Sequence, residues 1–136
     1  MTFKLEEVNP EADFAELMIC LWESYEEPYQ SLFRLFCPIP EGKTREVAIK
    51  ESTVRQLDWF HADPTSYWQK ITDSETGKIV AGALWKICKS NPFEPEESHE
   101  AFWFPEGGQR NFVTQALKLF EAPRARMAPK PQLCRS

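Results

Sequence analysis

Cys37 and His61 are the residue types of a nucleophile and its general base. Nothing in their spacing supplies a third residue to orient the imidazole. His61 therefore reads, like the other histidine, His99, as an ordinary loop residue. The acidic pair Glu96 and Glu97 could supply general bases, but adjacent exposed acids are usually only solvated. Phe104-Pro105-Glu106-Gly107-Gly108-Gln109-Arg110 sets two glycines before a helical run, where free N–H groups can hold phosphate. Two glycines and one arginine fit a plain loop and helix cap better. Cys20, Cys37, Cys88 and Cys134 contain no C-x-x-C pair and no neighbouring histidine, so they make no zinc pattern. Cys20 and Cys88 lie in apolar runs and read as buried thiols. Tyr25, Phe33, Phe36 and Trp85 differ in kind. Lining a cleft beside an antiparallel sheet they would make a small-molecule site; the competing reading for each is a place in the core.

Such residues need elements to position them, and the periodicity predicts these. Residues 2–8 (TFKLEEV) alternate weakly, as a strand does. Asn9-Pro10-Glu11 then opens a helix: Asn suits the cap, Pro the first turn, and the acids there complement the helix dipole. Phe14, Leu17, Met18, Leu21, Trp22 and Tyr25 form its apolar stripe, and Glu26-Glu27-Pro28 breaks it. Tyr29–Phe36 predicts a short second helix with Leu32, Phe33, Leu35 and Phe36 partly exposed. After a loop at Pro38, Pro40 and Gly42, Arg45–Phe60 predicts a third helix with Val47, Val54 and Leu57 on one side, ended by Asp63-Pro64.

A hairpin follows, Tyr67–Thr72 and Lys78–Cys88, around the turn Asp73-Ser74-Glu75-Thr76-Gly77, with Gly77 supplying positive φ. In the second strand Ile79, Ala81, Ala83, Trp85 and Ile87 face one way, and Val80 and Leu84 the other, beside Gly82. Two apolar faces predict a central strand covered on both sides. Gly82 marks a bulge or a close approach by another group. Residues 90–108, with three prolines and five acids, predict a long loop. Arg110–Phe120 predicts a last helix with Phe112, Val113, Ala116, Leu117 and Phe120 on one face. Pro123, Pro129 and Pro131 argue against regular structure beyond it, leaving residues 123–136 as an irregular basic tail.

The length, 136 residues, suits one domain, with 42% hydrophobic and 27% charged residues as in a globular protein. The net charge of −5 is uneven: residues 1–27 carry eight acids against Lys4 alone, and residues 123–136 carry four bases and no acid. An acidic chain argues against nucleic acid as a partner, since phosphate binding needs a basic face. No signal peptide and no membrane-spanning run is read, so the expected setting is cytoplasmic, with reduced cysteines and no membrane partner.

The run DPTSYWQKITDSETGKIVAGALWKICKSNPF resembles the middle of fungal GNAT-type N-acetyltransferases. Asp63-Pro64, Trp68, Lys70, Asp73, Thr76-Gly77 and Trp85 match that family's aspartate-proline, its tryptophan-lysine-aspartate strand, its threonine-glycine turn and its strand-ending tryptophan. Asn91-Pro92-Phe93 and Phe104-Pro105-Glu106-Gly107 match further on. The resemblance implies strands two and three of a GNAT sheet in the hairpin, preceded by a strand and helices. The expected fold is α+β, a three-stranded antiparallel sheet flanked by helices, like the N-terminal half of a GNAT domain.

The resemblance also implies transfer of acetyl from acetyl-CoA to an amine. The family's Gln/Arg-x-x-Gly-x-Gly/Ala pyrophosphate loop is absent from this sequence; residues 127–133 (MAPKPQL) resemble the lead-in to the strand before it. The chain therefore reads as a truncated member, or alternatively as a non-catalytic GNAT-derived remnant that binds a protein partner or a small apolar ligand. The substrate-binding set is Tyr25, Tyr29, Phe33 and Trp85. No catalytic, cofactor-binding or metal residue is assigned; acetyl-CoA enters by resemblance alone, and no metal is expected. An open edge on strand three predicts a homodimer, a marginal monomer, or an edge covered by the C-terminal tail.

Overall fold

In a computed structural model, the structure describes residues 2–90 and 100–127, and the backbone of 134–135. The elements are β1 (Phe3–Glu7), α1 (Pro10–Glu26), α2 (Phe33–Phe36), α3 (Arg45–Ala62), β2 (Ser66–Asp73), β3 (Ile79–Lys86), α4 (Gly108–Met127) and β4 (Cys134–Arg135). The described residues up to Ile87, together with β4, form one compact unit, and those from Cys88 to Met127 form another.

The first unit is α+β. Its sheet runs in the order β1-β2-β3-β4, every neighbour antiparallel. Three strands are long, as expected. The addition is β4, a two-residue strand that pairs with β3 at Trp85 and Lys86. It covers that end of the edge otherwise left to a second copy.

The hairpin turn is built as its residues dictate. Gly77 has φ +71°. Its N–H donates to Asp73 O at 2.8 Å, while Asp73 Oδ1 accepts from Glu75 N at 2.9 Å. At the other end of the unit Asn9 caps α1 by position only, with no side-chain bond. Instead Asp13, one turn into the helix, accepts the Asn9 N–H on its Oδ2 at 2.8 Å, satisfying a donor at the helix start.

The facing of β3 departs from simple alternation. The register slips so that Thr72 pairs with Ile79 and Ile71 with Ala81, leaving Val80 as a bulge. Cross-strand partners share a face. Ile79, Gly82 and Leu84 therefore lie with Trp68 and Lys70, and Ala81, Ala83 and Trp85 lie with Tyr67 and Ile71. This corrects the expectation that Ile79 and Trp85 point the same way; one inserted residue inverts the parity. Glu16 Oε1 of α1 accepts the Ile79 N–H at 2.8 Å beside the bulge.

α1 packs on the Trp68 face. Phe14 meets Trp68 edge-on, 5.8 Å between centroids. Asp13 Oδ2 reaches Lys70 Nζ at 2.8 Å. Leu17 lies against Gly82, which is thus a site of close approach. On the opposite face Phe3 and Leu5 of β1 are 55% and 63% exposed, while Ala81, Ala83 and Trp85 of β3, the strand expected to be covered on both sides, are half-buried.

The core gathers Phe14, Leu17, Met18 and Trp22 of α1 with Phe33, Cys37 and the α3 pair Ala48 and Ile49. Two expectations change here. Val47 and Val54 of α3 are exposed, and Ala48, Ile49 and Ser52 form its buried side. Ser52 is polar, but its Oγ accepts the Trp22 indole N–H at 3.1 Å and donates to Ile49 O at 2.8 Å, so burial leaves neither group unpaired. Phe33 is buried rather than partly exposed, and among the thiols of the described residues Cys37 is buried, while Cys20 and Cys88 are half-buried.

The second unit is dominated by α4, which buries Val113 and Leu117 but exposes Phe112 and Phe120. The helix continues through Pro123 to Met127, correcting the irregular tail expected from residue 123. A proline removes one helix hydrogen bond. Ala122, Arg124, Ala125 and Arg126 around it are strong helix formers, and the two arginines complement the C-terminal dipole. Pro129, Pro131 and residues 128–133 lie outside the described residues, as do Asn91-Pro92-Phe93, Glu96, Glu97 and His99.

Candidate functional site

Three of the four residues assigned to the substrate come together where α1 ends and α2 begins. Tyr25 stacks on Phe33, with centroids 4.8 Å apart and planes 5° from parallel. Phe33 also meets Trp22 edge-on at 5.5 Å. Arg34 lays its guanidinium over this group, 4.8 Å from the Trp22 ring and 5.9 Å from that of Tyr29. Tyr25 and Tyr29 keep 37% and 64% of their surface exposed, whereas Phe33 is buried and supports Tyr25. Trp85 is not in this group; it sits on the sheet face turned from α1, paired in register with Tyr67.

The charges here were not legible from the sequence. Glu26 takes both Arg34, at 3.5 Å, and Arg45, whose Nε is 3.0 and 3.1 Å from its two oxygens. Read along the chain, Glu26 is only a helix breaker; an acid closing a helix that has no basic last turn was the available signal. Glu23 and Glu27, on the same helix end, are exposed and have no cation partner among the described residues. The end of α1 thus offers two aromatic surfaces, two unpaired carboxylates and the negative pole of a helix, all of which attract cations.

Cys37 and His61 are not brought together. Cys37 has Arg55, Arg34 and Ser52 around it, and burial pushes its thiol up from the ordinary value. His61 pairs with Glu11 at 2.9 Å, six residues beyond Arg55 on α3 and so about 9 Å along the axis. A protonated, enclosed thiol without a base is inert as a nucleophile.

Among the described residues Asp63 has the most displaced carboxyl. Burial pushes it up, but hydrogen bonds from Lys86, the Thr65 side chain and the Thr65 N–H outweigh that and hold it well below the usual carboxylate range. Oδ1 accepts from Thr65 N at 2.9 Å and Thr65 Oγ1 at 2.6 Å; Oδ2 accepts from Ser66 Oγ at 3.2 Å and from Lys86 Nζ. A carboxylate has about four acceptor positions, and all are taken. Asp63 therefore ties the end of α3 to β2 and β3, and has no capacity left to act as a base.

The glycine turn before α4 does not fit a pyrophosphate. A cradle needs several free N–H groups and an available cation. The Asn111 N–H makes the first bond of α4, to Gly107 O at 3.1 Å. Arg110 folds back onto Phe104 O at 2.7 Å and Phe102 O at 3.3 Å, with Glu100 and Glu106 at 3.6 and 3.9 Å. Glu106 adds negative charge at the same turn. This turn thus offers a diphosphate no available cation, and no acyl-transfer step is derived through it.

Compared with protein-family models, with curated proteins and with solved structures, the chain matches none. Among the described residues no three His, Cys, Asp or Glu side chains gather as metal ligands, and no helix is long and apolar enough to cross a membrane.

Proposed function

We propose that this chain is the acceptor side of a GNAT-like N-acetyltransferase, presenting a primary amine for acetylation. The observation that carries this reading is the order strand, helices, antiparallel pair, with β1-β2-β3-β4 side by side. It is the order that the sequence resemblance implies. The amine, cationic in water, would approach the end of α1, where Tyr25 and Tyr29 are exposed beside Glu23 and Glu27. The acetyl donor, acetyl-CoA, would depend on residues other than the described ones, since the turn before α4 does not suit it.

That misfit favours a second reading, a non-catalytic GNAT-derived chain that binds a protein partner or a small apolar ligand. Titration of the isotopically labelled protein with phenethylamine, and with phenethyl alcohol as the uncharged match, separates the two. The first reading expects the amine alone to shift the resonances of Tyr25 and Tyr29, and the shifts to weaken in Tyr29→Ala. An amine that perturbs neither tyrosine removes the acceptor role.

A further inference from the structure

The sheet has two edges. β4 sits on the β3 edge at Trp85 and Lys86, and no described element pairs with the outer side of β1. The ladder with β2 shows which groups point outward there. The Val8 N–H donates to Trp68 O at 3.0 Å and the Ser74 N–H to Thr2 O at 2.9 Å, and the register between them is unbroken. Along an antiparallel ladder, residues bonded to the neighbour alternate with residues that are not. Thr2, Lys4, Glu6 and Val8 thus turn their N–H and C=O groups to β2, and Phe3, Leu5 and Glu7 turn theirs away from the sheet. β1 has no proline and no bulge to blunt that edge. Its side chains combine a charged pair, Lys4 and Glu6 at 2.5 Å, with Phe3 and Leu5, both more than half exposed.

What fits such an edge is another strand, and β1 fits itself. Two copies set antiparallel about a two-fold axis at Leu5 place Leu5 opposite Leu5, Phe3 opposite Glu7 and Lys4 opposite Glu6. Every outward N–H and C=O of Phe3, Leu5 and Glu7 then finds its counterpart on the other copy. Opposite residues share a face. The two Leu5 side chains therefore meet beside Phe3 on the apolar face, and each Lys4 meets a Glu6 of the second copy on the other face. The charges also select this register. Centring the pair on Lys4 or on Glu6 instead sets lysine against lysine or glutamate against glutamate, which is unfavourable. We propose that β1 is a dimerisation strand, pairing antiparallel with β1 of a second copy so that one sheet continues into the next. The contact lies at the edge away from β3, the strand whose open edge was expected to carry a dimer, and it does not depend on the amine-acceptor reading.

A ladder this short buries less than a standard interface, so the association is weak: the chain is expected to be a monomer at about 1 µM and mostly a dimer by about 1 mM. Sedimentation equilibrium of the full chain across that range measures it. Amide hydrogen exchange locates it, with protection of the Leu5 and Glu7 N–H groups rising with concentration. Leu5→Pro removes an outward N–H and no bond within the sheet, a position where an edge strand tolerates proline; it is expected to leave a folded monomer. Lys4→Glu is expected to weaken the dimer about ten-fold, since both facing pairs become repulsive. Adding Glu6→Lys to it makes the facing charges opposite again and is expected to restore the dimer. A monomer at every concentration overturns the proposal and leaves the edge to a strand of a different protein. A dimer indifferent to Leu5→Pro, or one that the double reversal fails to restore, also overturns it.

Discussion

The Cβ that Gly82 lacks would stand 2.4 Å from Leu17 Cδ1. That contact seats α1 on β3, because the absent side chain lets a core leucine settle against the strand backbone. Gly82→Ala is expected to destabilise the protein by about 1–3 kcal/mol, the range for overpacking a filled core, and Gly82→Val by more. Urea unfolding measures this. The double variant Gly82→Ala with Leu17→Ala should lose less than the sum of the two, since the clash disappears with the leucine.

Lys70 and Asp13 make a second tie between α1 and the sheet, both side chains more than four-fifths buried. Removing one partner of a buried pair strands the other charge. Lys70→Met is expected to cost about 3 kcal/mol, and Asp13→Ala a similar amount, as it also removes the acceptor of the Asn9 N–H. A double-mutant cycle by chemical unfolding should give a coupling of about 1–2 kcal/mol. Strict additivity would show that the pair contributes nothing jointly.

The Asp63 tie has a pH signature. Its folded carboxyl is held well below its usual range, so its contribution to stability is fully present above the unfolded value of about 3.9. It is lost as pH falls from there through the folded value. The stability difference between the natural chain and Asp63→Asn should therefore be constant from neutrality down to about pH 5 and shrink below about pH 4. A difference that grows on acidification would contradict the assignment.

Local signals carried much of this fold. Asn9-Pro10 set the start of α1, the Phe14–Trp22 stripe its buried side, and Gly77 the hairpin turn, because caps, turns and helical faces depend on neighbours in sequence. Parity in β3 was misread because the bulge at Val80 exists only in register with Thr72 and Ile71, and no single strand encodes its partner's spacing. The buried side of α3 was misread for a related reason. Valines at 47 and 54 carried the apolar weight, but Ser52 goes inward because Trp22 meets it with an N–H. At the candidate site the aromatic members were recognisable by type. The Arg34–Glu26–Arg45 bridge and the saturation of Asp63 join residues from separate elements, and only the folded chain brings these together.

The central claim is an acceptor surface at the end of α1 without a coenzyme A cradle. Paired calorimetric titrations of the purified chain test it most directly, one with acetyl-CoA and one with phenethylamine. The expected result is no heat from acetyl-CoA up to millimolar concentration, and a saturable amine isotherm that Tyr25→Ala and Tyr29→Ala each weaken. Saturable binding of acetyl-CoA, or an amine isotherm indifferent to both tyrosines, would contradict it.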